Sequence, residues 1–391
     1  VKNTFQINYH HDISFSNFNQ FDIKYNFIDY EHKEFENNNI SYEVALLKKT
    51  HNFIIELGSS NSTIGTELAY KQFSPKGSYL TPDTDEFELS LYGFYKKEFN
   101  NFDLLNSFRM GRLSIKPMQS SDNQDIRNRD FNYFSSSIGL GKIINNFEIN
   151  TWIMNTMRGP AIEELYSEGP HLGTYSYEIG EPNLKLEKTY GVESSIRYNV
   201  KSLVVSINTF YNYSPYYYQM NKIGECGELL LEECRRAGFI KSGVGSGGWL
   251  YKHKTRGIKS LIKGLEFNLN YTYQDFTITY DFSLVRGDDL TNDLYLSYMN
   301  PDKQILNLEY HSRVISYNLR LSNIHSQRRL GKFETYTPSS FLVDFIIGYT
   351  KKNQSVTIQF NNILNKEYYN HLSRIKSIMP EAGRSVVFYY K

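Results

Sequence analysis

The sequence predicts an all-β protein, an antiparallel transmembrane β-barrel. Three observations carry this. Apolar and polar residues alternate with a period of two over long runs, the mark of strands with one apolar and one polar face. The connections between these runs are alternately short and long. The composition disfavours helix: five Ala stand against 37 Asn, with 33 Tyr and 26 Phe. Ala is the best helix former, Asn favours turns, and aromatic residues suit strands.

The runs are plain in the second half of the chain. Leu265, Phe267, Leu269, Tyr271 and Tyr273 alternate with Glu266, Asn268, Asn270 and Thr272. After Gln274-Asp275, a tight turn, Phe276, Ile278, Tyr280, Phe282 and Leu284 alternate with Thr277, Thr279, Asp281 and Ser283. Ile315, Tyr317, Leu319 and Leu321 repeat the pattern. A tilted strand of about 9–11 residues crosses a bilayer. Short links are expected at 49–52, 99–101, 144–146, 199–202, 274–275, 312–314 and 351–354. Long ones are expected at 74–85, 116–129, 158–186, 222–247, 287–302, 325–339 and 363–383. In an antiparallel barrel, all short links then fall at one rim and all long ones at the other. This is the plan of outer-membrane barrels, with tight periplasmic turns and long extracellular loops.

Seventeen strands are expected, near 3–10, 21–33, 41–49, 53–72, 86–98, 102–114, 130–142, 147–157, 187–199, 203–221, 248–273, 276–287, 303–312, 315–325, 341–350, 355–362 and 384–390. The first runs from the outside inward. An odd count cannot close as a wholly antiparallel barrel, so the sequence is expected to be incomplete at its start. Residues 1–391 are read as one barrel domain.

Composition also excludes functions. Lys plus Arg total 43 and Asp plus Glu 42, a net charge of +1, so there is no basic excess to neutralise nucleic-acid phosphates. Mean hydropathy is −0.51, and no run of 18 apolar residues would form a membrane-spanning helix. No Gly-x-Ser-x-Gly elbow occurs. Gly243-Val244-Gly245-Ser246-Gly247-Gly248 precedes a strand rather than a helix, so it does not qualify as a phosphate loop. The chain is not expected to be an enzyme.

Three segments resemble the β-barrel of TonB-dependent outer-membrane receptors. Met157-Arg158-Gly159-Pro160-Ala161-Ile162-Glu163-Glu164-Leu165-Tyr166 is similar to the family's arginine-alanine-proline box, with Gly159 where Ala is usual. Glu181-Pro182-Asn183-Leu184-Lys185-Leu186-Glu187-Lys188 resembles the box that opens the next strand, with Glu181 for Asn and Leu186 for Pro. Asn361-Asn362-Ile363-Leu364-Asn365-Lys366-Glu367-Tyr368 matches the ending of the penultimate strand. The resemblance covers essentially the whole chain. It implies a barrel of 22 strands around a plug, so the plug, the TonB-binding box and about five strands are expected to precede this sequence. Arg384–Tyr390 resembles the terminal strand read by the barrel assembly machinery, although Lys391 follows the last aromatic residue. Lipid and lipopolysaccharide are the expected surroundings, the outer membrane of a Gram-negative bacterium the expected location, and a monomer the expected state.

Within the family the sequence is most similar to zinc-uptake and haem-uptake receptors. Gly169-Pro170-His171 resembles their Gly-Pro-His loop, and 369–384 and Lys263-Gly264-Leu265-Glu266 are also similar to this subgroup. The resemblance makes His171 the leading candidate ligand. A neutral imidazole suits zinc, copper or iron, and Glu168 and Glu178 can add oxygen ligands. His371 and His325, in or near long loops, are further candidates. The plainer reading of each histidine is loop packing. His51 is expected in a periplasmic turn, with His10 and His11 near the same rim. Cys226 and Cys234 share one long loop, and a disulfide is the natural reading in an oxidising compartment. The alternative is a thiolate pair on a metal. Tyr211, Tyr213, Tyr216, Tyr217 and Tyr218 are expected in the outer aromatic girdle.

The expected function is TonB-dependent uptake of a scarce metal or chelate, zinc first and haem second, with no permanent cofactor. A passive porin-like channel and a structural or adhesive barrel are the alternatives.

Overall fold

A computed structural model describes residues 1–35, 44–77, 81–118, 126–174, 176–224, 240–241, 249–376 and 378–391. Among these, seventeen long strands and four short ones alternate with little helix. The long strands are β1 (Lys2–Phe15), β2 (Phe18–Glu34), β3 (Val44–Gly58), β4 (Ser62–Gly77), β5 (Thr84–Glu98), β6 (Asp103–Pro117), β7 (Arg129–Ile144) and β8 (Phe147–Arg158). After the five-residue helix α1 (Ile162–Tyr166) come two short strands, β9 (Glu168–His171) and β10 (Ser176–Ile179). The order continues with β11 (Glu187–Val200), β12 (Leu203–Gly224), the short β13 (Ile240–Lys241), β14 (Trp249–Tyr273), β15 (Phe276–Asp289) and the short β16 (Leu294–Tyr295). It ends with β17 (Lys303–His311), β18 (Ile315–Ile324), β19 (Ser340–Lys351), β20 (Gln354–Asn361) and β21 (Ser385–Tyr390).

The chain divides into two compact units. Unit 1 is Val1–Leu140, Ile153–Tyr190 and Ser214–Lys259; unit 2 is Gly141–Trp152, Gly191–Tyr213 and Ser260–Lys391. In unit 1, β1 to β6 form an antiparallel meander, each strand paired with the next. In unit 2, β14, β15, β17, β18, β19, β20 and β21 pair in the same way. Among the described residues, β1 pairs with β2 and β21 with β20, each along one side.

Period-two alternation sorts the side chains onto two faces in each unit. In unit 2, Phe276, Tyr310 and Tyr317 stand in register on the apolar face and pack in a row, with ring centroids 4.8 and 6.2 Å apart. The opposite face carries polar pairs such as Asn268 with Asp281 (2.6 Å) and Asn318 with Glu309 (2.7 Å). In unit 1, Phe5, Ile7, Tyr9, Leu89 and Leu91 lie on an apolar face and are 40–54% exposed. The polar face of β2 to β7 is cross-linked: Lys24 pairs with Glu56, Tyr92 donates to Glu56 (2.9 Å), and Arg109 pairs with Glu67 (2.5 Å). Gly65 makes room for this network, since a Cβ there would stand 2.6 Å from the Tyr92 ring.

The link expected at 49–52 is corrected. Those residues lie inside β3, and the turn comes at 59–61. Lys48-Lys49-Thr50-His51-Asn52 reads as a polar loop, but three of the five, Lys48, Thr50 and Asn52, sit on the polar face. His51 falls on the other face, where Phe27 packs against it at 4.8 Å and the Tyr25 hydroxyl meets its Nδ1 at 2.8 Å. His51 is therefore a mid-strand residue. Tight turns at 145–146, 201–202, 274–275 and 352–353 agree with expectation, and one more lies at 16–17. The tyrosine cluster also splits by parity: Tyr211 and Tyr213 are exposed, 53% and 36%, whereas Tyr218 is buried.

A charge on the apolar face should be costly and a small change on the polar face should not. Leu319→Arg, midway along β18, should lower stability by about 2–4 kcal/mol in denaturant titrations of the protein in phospholipid vesicles. Asn318→Ser should cost less than half as much.

Candidate functional site

The long connection between β8 and β11 in unit 1 is folded around an arginine. Arg158 ends β8. Its guanidinium grips Glu164 of α1 through two bonds (2.9 and 3.0 Å) and reaches Glu187 at the start of β11 (3.2 and 3.4 Å). A planar fork with fixed donors suits two carboxylates at once. The ring of Tyr218, from β12, lies 4.6 Å from the guanidinium carbon. Its hydroxyl donates to the Lys185 carbonyl and accepts from the Glu187 N–H (2.9 Å), while its own N–H donates to Glu187 (2.7 Å). Glu164 also accepts the Ala161 N–H (2.8 Å), which satisfies an open donor at the start of α1.

The apolar side of α1 anchors the same loop. Ile162, Leu165 and Tyr166 are buried against Leu113, Ile115, Phe131 and Leu184. Full burial of such side chains stabilises by about 1.5–3 kcal/mol each. Glu163 points away from this core and is exposed. Pro160 lines, with Lys48, Lys71, Glu86, Arg109 and Arg158, a cavity of about 400 Å³ that also touches Glu163. Asn183 accepts a bond from Arg127 (2.6 Å), and the Leu184 carbonyl accepts one from Arg129 (2.6 Å). Pro182 lies in the turn between them and β10.

Above this base, β9 pairs antiparallel with β10, and β10 runs parallel to β14. His171 stands opposite Ser176, and Glu178 stands opposite His253. Residues 176 and 178 share a face, so His171, Ser176, Glu178 and His253 line one side of a small sheet. His171 Nδ1 is 3.1 Å from Glu178 Oε1, and the Ser176 hydroxyl donates to the same oxygen (3.0 Å). The His171 side chain is 37% exposed while that of Glu178 is 8%. His253 is 2% exposed. Glu168 takes a different role, accepting the Tyr177 hydroxyl (2.8 Å). This hydrogen bond and burial together raise the Tyr177 pKa, burial being the larger cause.

His325 and His371 belong to unit 2. His325 is exposed, just beyond β18, with Asn323 at 3.3 Å. The His371 side chain is wholly buried. Its Nδ1 accepts from the Thr337 hydroxyl (2.8 Å) and the Lys376 ammonium (3.1 Å), and its Nε2 faces Glu334 at 3.4 Å. Glu334 also accepts the Tyr298 and Gly331 N–H groups (2.6 and 2.7 Å). Burial alone would raise the Glu334 pKa, but His371 and these two donors outweigh it and hold it below the ordinary glutamate value. Burial pulls the Lys376 pKa down. Among the described residues, no three His, Cys, Asp or Glu side chains already converge as a metal site. Cys226, Cys234 and the glycine-rich 243–247 lie outside the described residues.

The model of the TonB dependent receptor-like β-barrel family matches residues 2–363. The chain belongs to this family. β-Barrels of TonB-dependent receptors are outer-membrane proteins of Gram-negative bacteria. The chain is also similar in structure to the copper transporter OprC (TM-score 0.78, 13% identity). It is similar as well to the FrpB iron transporter from Neisseria meningitidis (TM-score 0.70, 13% identity). A third similar structure is a mutant of the Serratia marcescens hemophore receptor HasR, in complex with its hemophore HasA and heme (TM-score 0.67, 14% identity). All of this chain is covered in each comparison, against 65%, 63% and 65% of the other chain. The chain thus spans under two thirds of the length of these structures.

In this TonB-dependent receptor the third sequence box closes a turn. Asn362 and Asn365 have φ of 47° and 50°, in the left-handed region Asn tolerates well. The Asn362 side chain donates to the Lys366 carbonyl (2.9 Å) and accepts its N–H (2.9 Å), and Asn365 accepts the Arg384 N–H (2.9 Å). Leu364 is 56% exposed. His253 is the residue that sequence reasoning missed. It lies between Lys252 and Lys254, where nothing local marks it as a site residue. Only the parallel pairing of β10 with β14, distant in sequence, puts it beside Glu178.

Two outcomes follow. Arg158→Ala should expose residues 159–186 to limited proteolysis, and Arg158→Lys should protect only in part, since a point charge cannot hold both carboxylates. Leu165→Ala should have the same effect by removing about 2–5 kcal/mol of core packing. In unit 2, a lowered Glu334 pKa means stability that is present above the ordinary glutamate value of 4.5 and lost as pH falls through the lowered one. Corrected for intrinsic rates, hydrogen exchange at the Tyr298 and Gly331 amides should gain protection as pH rises from about 3 to 6, and Glu334→Gln should flatten this dependence.

Proposed function

We propose that this chain is the larger part of the barrel of a receptor that binds a scarce metal ion or metal chelate, with zinc first and haem second, and takes it up with energy from the TonB complex. The observation that carries this is the His171–Glu178 pair. Ligands at about 2.0–2.1 Å from a tetrahedral zinc stand about 3.3 Å from each other. The 3.1 Å between His171 Nδ1 and Glu178 Oε1 is close to that edge, so a cation can replace a shared proton with little movement. Burial of Glu178 behind an accessible His171 gives a one-sided site that opens toward solvent. Two protein ligands give the modest, releasable affinity that transport requires. An imidazole beside a carboxylate also suits the iron of haem.

The relatives' own names, a copper transporter, an iron transporter and a hemophore receptor, support the metal class without selecting its member. Plug, TonB-contacting segment and remaining strands belong to the rest of the receptor in this reading. The barrel is one domain, a monomer in lipid and lipopolysaccharide, inserted by the barrel assembly machinery, and it holds no permanent cofactor.

His171→Ala in the complete receptor should weaken zinc binding, measured by calorimetry, at least about ten-fold. Haem binding, followed by its absorption spectrum, tests the second ligand in parallel. Unchanged binding of both would remove His171 from the site.

A further inference from the structure

The short turns of unit 2 form a continuous, positively charged row. Successive hairpin ends are laced by backbone bonds: Asn199 N–H to Asn146 O (2.9 Å), Thr272 N–H to Ser202 O (2.9 Å), His311 N–H to Asp275 O (2.8 Å) and Thr350 N–H to Val314 O (2.8 Å). Lys142, Lys201, Arg313, Lys351 and Lys352 stand in or beside these turns, and all five are exposed. Among the described residues none of them forms an ion pair. The carboxylates nearby are Asp275 in its turn and Glu148 at the start of β8; Glu309 is engaged by His311 (3.4 Å) and Asn318 (2.7 Å). The short turns of unit 1, at 16–17, 59–61 and 99–102, contain no charged residue, and beside the last of them Lys96 is paired with Glu98 (2.7 Å) and Asp103 (3.1 Å), leaving Lys97 next to it.

Two features define the setting of this row. First, Lys201 and Lys352 have φ of 48° and 57°. Left-handed backbone is unfavourable for a lysine, and glycine would adopt it freely. Ser16, Asn145 and Gln274 hold the same position of their turns with φ of 54°, 54° and 52°, so the backbone strain belongs to the turn, and at Lys201 and Lys352 it projects a cation from the turn tip. Second, the row borders a belt of exposed rings on the apolar face. Tyr273 is 58% exposed, Phe276 56%, Tyr317 39% and Tyr349 43%, and Phe147 packs on Tyr198 at 4.7 Å. Such rings settle at the level of lipid headgroups, which brings the turn cations to the depth of the phosphates.

We propose that the row of short turns in unit 2 is a binding surface for anionic phospholipid headgroups. Each lysine or arginine near an anionic surface contributes about a five-fold preference. Lys201, Arg313, Lys351 and Lys352 supply the contacts, and the aromatic belt fixes their depth.

The test uses the complete receptor in mixed bilayers of phosphatidylcholine with about one third phosphatidylglycerol. It is extracted gently, and its retained lipids are counted by mass spectrometry. The wild type should be enriched in phosphatidylglycerol over the bulk ratio. The variant Lys201→Gln, Arg313→Gln, Lys351→Gln, Lys352→Gln should fall to that ratio. A control with Arg328→Gln and Lys332→Gln, in a long connection, should keep the enrichment. Lys201→Gly with Lys352→Gly guards against a folding artefact. It should melt at a higher temperature in neutral lipid and yet retain less phosphatidylglycerol. A bulk ratio in the wild type, full enrichment in the fourfold or glycine variant, or equal loss in the control would overturn the proposal.

Discussion

A backbone amide that enters hydrocarbon has no water to bond, so each N–H and C=O must find its partner on a neighbouring strand. Everything else in this chain follows from that requirement. Strands must be long and paired in strict register, and each side chain is then committed to one of two faces. The apolar face is left for lipid. The polar face must satisfy its own charged groups, which it does through pairs such as Arg109 with Glu67 and Lys24 with Glu56. The connections escape the constraint, and the candidate chemistry gathers there, joined by His253 near the start of β14.

The arginine box shows how a connection of nearly thirty residues becomes a defined surface. Arg158 holds a strand end, a helix and a strand start with one planar group, and Tyr218 covers it. This is an economical use of one side chain, because a flexible loop would otherwise have to be ordered contact by contact. The His171–Glu178 pair stands on that base through β9 and β10. The geometry of the candidate site thus depends on residues that touch no ligand.

Much of this was legible in the sequence because alternation is local. The faces of β14, β15 and β18 can be read from their own residues. The limits of legibility have physical causes as well. The run from Lys48 to Asn52 looks like a turn because local polarity cannot tell a loop from a strand whose neighbours, Tyr25 and Phe27, shelter an imidazole. Tyr218 looked like a girdle residue, yet an even position in β12 turns it toward Arg158. His371 reads as a loop ligand, but Thr337 and Lys376 already occupy Nδ1 and Glu334 faces Nε2. His253 had no local signal. Each of these depends on pairing between segments far apart in sequence, which composition and spacing do not encode.

The backbone bonds that lace one turn to the next have a wider consequence. Each hairpin brings its own tight turn and its own two faces, and it joins its neighbour along a regular strand ladder, as β15 joins β17 and β18 joins β19, so it is complete as a building block. A sheet made this way can lose or gain a hairpin and keep every remaining register intact. Evolution can therefore resize such a protein in steps of two strands, while the long connections diversify independently on the other side. Novelty in cargo and constancy in architecture are separated by the length of one strand.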